Sequence, residues 1–71
     1  MAKTVTDLKS IISSGANISI DASYTTTDIK ALVQLAKSKG LNVTIRNASA
    51  KTTTDLKSIA MNGEKFVTFE L

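Results

Sequence analysis

The 71-residue chain contains no His and no Cys. Imidazole catalysis, thiolate nucleophiles, disulfides and thiolate metal sites are therefore excluded, and the acids become the residues to question. Asp21 and Glu70 are the pair that invites acid–base chemistry, because two carboxylates across a scissile bond can hydrolyse it when one is protonated and the other ionised. The strand register derived below sets Arg46 between them. A guanidinium there would hold both ionised, which is wrong for a general acid. Phosphate chemistry lacks its loop as well, since the only glycines are Gly15, Gly40 and Gly63, spread along the chain. The expectation is a protein that is not an enzyme and carries no cofactor, metal ligand or catalytic residue.

The remaining acids fall into a pattern. Thr4, Thr25 and Thr52 each stand three residues before an Asp: Asp7, Asp28 and Asp55. This is the spacing of a helix N-terminal box, in which the Thr hydroxyl accepts a bond from an orphan backbone N–H and the Asp faces the positive end of the helix dipole. Helices pack about 10 Å apart, too far for these three acids to share a metal ion. Lys9, Lys30 and Lys57 follow each Asp by two residues. A phosphate-binding stripe is one reading of them, but the neighbouring acids cancel much of that field and a solvated helix face is the plainer one. Asn17-Ile18-Ser19, Asn42-Val43-Thr44 and Asn47-Ala48-Ser49 match the glycosylation acceptor pattern, in a chain that begins without an apolar leader.

These boxes belong to a repeat. Thr6-Asp7-Leu8-Lys9-Ser10-Ile11 recurs at 54–59, with the variant Thr27-Asp28-Ile29-Lys30-Ala31-Leu32 between. Behind each Asp, apolar residues at helical spacing (Leu8, Ile11, Ile12; Ile29, Leu32, Val33, Ala36; Leu56, Ile59, Ala60) form one face. Gly15, Gly40 and Gly63 then stand where a left-handed C-terminal cap is wanted. Period-two segments follow: Ile18 and Ile20; Val43 and Ile45; Val67, Phe69 and Leu71. The pattern predicts helices over 4–14, 25–39 and 52–62 and strands over 17–22, 42–47 and 65–71, with Ser23-Tyr24 and Asn47–Lys51 as loops.

Each strand leads through a helix to the next, so the strands pair in parallel. The fold class is α/β: one domain over 1–71, with repeats 4–22, 25–48 and 52–71. Its three-stranded parallel sheet, in order 1-2-3, is backed by helices on one face in an open, two-layer, solenoid-like arrangement. Aligning Ile18, Val43 and Val67 leaves three rows on the other face: Asn17–Asn42–Phe66, Ser19–Thr44–Thr68 and Asp21–Arg46–Glu70. The last would be an ion-pair row. Phe66 takes the place held by Asn in the other units and would turn a ring toward water. Fifteen large side chains form the expected core, Ile11 and Leu71 among them.

Parallel sheets are ordinarily covered on both faces, whereas solenoids line an open surface with strands. The chain resembles bacterial tandem helix–strand repeat proteins of leucine-rich-repeat-like architecture, of unknown function, over nearly its whole length. That resemblance implies the open arrangement and brings no functional residue with it.

Composition bounds the partners. Net charge is +3, the Lys residues are dispersed, and only Tyr24, Phe66 and Phe69 are aromatic. A nucleic-acid binder gathers its cations and supplies stacking rings, so nucleic acid is not the expected partner. No apolar run approaches the roughly 20 residues that cross a bilayer, and the expected location is cytoplasmic. The reading is a protein-binding or self-assembling repeat module, a homodimer in solution. Its partner surface is the open face at Ser19, Asp21, Thr44, Arg46, Phe66, Thr68 and Glu70, or a sheet edge. Two alternatives stand beside it. Near-identical units with idealised caps are what a designer writes, although a Ser/Thr-rich surface is not today's design habit. A weak polyanion binder would betray itself by steep salt dependence.

Overall fold

A computed structural model describes residues 4–71. The reading of Met1-Ala2-Lys3 as a start without a leader lies outside the described residues. The elements run α1 (Val5–Ser13), β1 (Ile18–Asp21), α2 (Thr26–Lys39), β2 (Val43–Arg46), α3 (Thr53–Gly63) and β3 (Val67–Phe69). The three strands form one open parallel sheet in the order β1-β2-β3.

Each helix starts where its Thr stands. Thr4, Thr25 and Thr52 are extended, and each hydroxyl oxygen accepts the N–H of Asp7, Asp28 or Asp55 at 3.2 Å. One of the orphan amides of each first turn is thereby satisfied. The α2 stop is also the expected one. Gly40 adopts φ +70, and Leu41 N–H reaches back to the Ala36 carbonyl at 2.9 Å. Lys37 and Lys39 complement the negative end of that helix.

Gly63 corrects the expectation of a third left-handed cap. Its φ is −100 and it closes α3, while the positive φ falls one residue later, on Glu64 at φ 52. A Cβ on Gly63 would strike Val67 Cγ2 and stand 2.9 Å from Val33 Cβ. Close packing between α3, α2 and β3 is what demands glycine here. Glu64 is tied instead through its carboxylate to Lys37 Nζ on α2, at 2.7 Å.

The core lies between the helices and one face of the sheet. Ile12, Ile29, Leu32, Val33, Val43, Ile45 and Ile59 are wholly buried, and α2 supplies the most because it sits between α1 and α3. Along β2 burial alternates, with Val43 and Ile45 buried, Thr44 intermediate and Arg46 exposed, which is the signature of a one-sided sheet. Two expected core residues are not in it: Leu71 is 83% exposed and Ile11 36%. Ala22 and Ala48 are buried instead. Ala48 opens a 3-10 turn (Ala48–Ala50) inside the segment expected to be a plain loop.

Candidate functional site

The face of the sheet opposite the helices carries Ser19, Asp21, Thr44, Arg46 and Thr68 of the residues singled out as a partner surface. The register is the expected one: Ile18 pairs with Val43 and Val43 with Val67, and the Ser19–Thr44–Thr68 row crosses all three strands. Ser19, Arg46, Thr68 and Glu70 are exposed, while Asp21, Thr44 and Phe66 are partly buried.

At the sheet's C-terminal end the expected ion-pair row does not form. Asp21 and Arg46 are register partners, yet among the described residues the one ion pair within 4 Å is Lys37–Glu64. Asp21 turns to nearer, fixed donors. Its Oδ1 accepts from Asn47 Nδ2 at 2.6 Å and its Oδ2 from the Ser23 amide at 2.8 Å. The Asn47 bond is the chief reason its pKa lies below the ordinary carboxylate value; the Ser23 bonds come next, and the charge of Arg46 adds least. Asn47 is held with φ 58, a left-handed conformation that Asn tolerates better than most residues. Glu70 lies just past β3. Its N–H donates to the Ile45 carbonyl at 2.9 Å, and its carbonyl accepts from Ala48 N–H at 3.0 Å. Its backbone, rather than its carboxylate, does the joining.

The opposite end carries a second set of links, made by the Asn17–Asn42 row, that alternation alone does not predict. Asn17 Oδ1 accepts from Asn42 N–H at 2.7 Å, and Asn42 Oδ1 accepts from Thr68 Oγ1 at 3.3 Å. Recurrence of Asn one residue before Ile18 and Val43 was the available signal. Phe66 departs from the expected row. It ends a 3-10 turn (Glu64–Phe66) before β3 begins, is partly buried, and has Lys65 Nζ 5.7 Å from its ring centroid.

The sheet's margins differ from its middle. Val43 and Ile45 of β2 are fully buried, whereas Val67 and Phe69, their partners on β3, are only partly so. Leu71 and Met61, 78% exposed on α3, are the two most exposed large apolar side chains of the described residues. The apolar layer therefore runs out to the β3 margin and stops there uncovered.

No family model, curated protein or solved structure matches the chain. Among the described residues no group of three or more acids is placed to hold a metal ion, and no helix is long and apolar enough to cross a membrane.

Proposed function

We propose that this protein is a non-enzymatic self-assembly module that associates through the uncovered margin of its parallel sheet. One observation carries the reading. The β3 strand leaves Val67 and Phe69 half-covered where their β2 partners Val43 and Ile45 are sealed, and Leu71, just beyond the strand, is 83% exposed. An unpaired strand offers a row of free amides and carbonyls, a template for a further strand, and here the row is backed by apolar side chains that gain from burial. The polar face adjoining it, from Ser19 and Asp21 through Thr44 and Arg46 to Thr68 and Glu70, would form the rim. Its hydroxyls and charges suit a hydrated boundary better than an anchor.

A closed two-fold dimer is the commonest outcome for soluble self-association. The test is solution mass by sedimentation or light scattering from low to high micromolar concentration. The expected result is a shift from the 7.5 kDa of one chain to twice that mass, with a melting temperature that rises with concentration. A sharp monomer mass throughout, with stability independent of concentration, overturns the reading.

A further inference from the structure

We infer that two copies pair antiparallel along β3 about a two-fold axis at Phe69, making one continuous six-stranded sheet. This rests on the self-association reading above and adds the partner strand, its direction and its register.

Backbone direction supplies the first argument. The N–H and C=O of Glu70 both bond toward β2, to Ile45 and Ala48. Successive residues of a strand alternate in the side to which their backbone groups point, so Thr68 also bonds inward while Val67, Phe69 and Leu71 point outward. The side chains of Val67 and Phe69 belong to the helix-side row, in register with Val43 and Ile45, and continued alternation puts Leu71 on that side too. The free hydrogen-bonding groups and the uncovered apolar side chains thus come from the same residues. An antiparallel partner centred on Phe69 uses all of them. Phe69 faces Phe69 and Val67 faces Leu71, each as a doubly hydrogen-bonded pair, and the half-covered layer is closed by its own copy. Moving the axis to Thr68 would oppose Leu71 to Lys65 and leave that apolar side chain against an ammonium.

Charge decides against the rival geometry. Head-to-tail stacking, β3 of one copy against β1 of the next in the register of the internal repeats, would set Glu70 beside Asp21. Like charges directly opposite destabilise a sheet, and heterologous contacts of that kind propagate into open filaments. In the two-fold arrangement Glu70 lies opposite Thr68, which carries no charge.

The chain has no Cys, so single substitutions report the register cleanly. Thr68→Cys and Glu70→Cys are both on the exposed face. In the proposed pairing, residue 68 of one copy and residue 70 of the other form a non-hydrogen-bonded pair with Cα atoms about 4.5 Å apart, within disulfide reach. Residue 68 is diagonal to its own copy and beyond that reach. Mild oxidation of the mixed variants should give a cross-linked dimer, and each variant alone should give little. Leu71→Asp, at a side chain already exposed, should raise the dimer dissociation constant at least about tenfold while leaving the circular dichroism spectrum unchanged. Efficient cross-linking of Thr68→Cys with itself would overturn the Phe69 axis. A wild-type dimer with no cross-link in the mixture would overturn the β3 interface and leave self-association standing. A wild-type monomer would overturn both.

Discussion

Along the β1 edge the outward backbone groups are those of Ser19 and Asp21, because Ile18 N–H and Ala22 N–H bond inward to the Asn42 and Arg46 carbonyls. Along the β3 edge they are those of Val67 and Phe69. The first pair carries its side chains on the polar face, the second on the apolar one. Burial differs at one of the two helix-side pairs: Ile20, on the β1 margin, is 3% exposed whereas its counterpart Phe69 is only partly covered, while Ile18 and Val67 are both partly buried. A parallel strand uses alternate residues to bond its two neighbours, so in a one-sided sheet each edge inherits the chemistry of one face. Near-identical repeats therefore end in two unlike margins, one resembling a protected edge with an acid on it, the other an apolar edge open to a partner.

The strongest way to break that comparison is to truncate the two margins. Ile20→Ala removes a buried side chain and should cost about 2–5 kcal/mol, equally at low and high protein concentration in urea titrations. Phe69→Ala should cost about 1–2 kcal/mol in dilute solution, less than a fully buried Phe. Its cost should grow with concentration, because the wild type gains from pairing and the variant does not. A Phe69→Ala loss that ignores concentration would place the contact elsewhere.

Gly63 sharpens the same contrast from beneath the β3 margin. Gly63→Ala drives a Cβ into Val67 and Val33 and should cost about 1–3 kcal/mol. Gly40→Ala meets no neighbour and pays only for its φ of +70, on the order of 1 kcal/mol. Chemical denaturation should rank them in that order; the reverse would mean that α3 can shift away from β3 freely.

Smaller effects belong to the polar end of the β1 margin. With no ion pair to lose, Arg46→Glu should cost only a few tenths of a kcal/mol, at the low end of cross-strand charge effects. A double-mutant cycle with Glu70→Arg should show little coupling. Asp21 should reveal itself in pH dependence. Its folded pKa is depressed, chiefly by Asn47, so its stabilising contribution is whole above its unfolded pKa, about 4, and is lost as pH falls through the lower folded value. Glu64, lowered by Lys37, behaves alike. Asn47→Gly keeps the left-handed backbone and removes the donor to Asp21. It should flatten the acid limb of a stability–pH curve, and an unaltered limb would show that Asn47 does not hold the carboxylate.

Much of this was written in the residues themselves. The Thr boxes, the period-two segments and the alignment of Ile18, Val43 and Val67 determined three helices, a parallel sheet in order 1-2-3 and its register, because capping and alternation are local and the apolar positions admit one alignment. The polar face was legible for the same reason. Tertiary structure decided what depends on neighbours. Whether a Gly serves for its φ or for its missing Cβ is settled by what packs beside it, and Val33 and Val67 gave Gly63 the second role, leaving the positive φ to Glu64. Whether facing charges bond is settled by competing donors, and Asn47 with the Ser23 amide took Asp21 from Arg46. Alternation said that Phe69 and Leu71 face the helices. Only the finished packing showed how far they are covered, Phe69 in part and Leu71 scarcely.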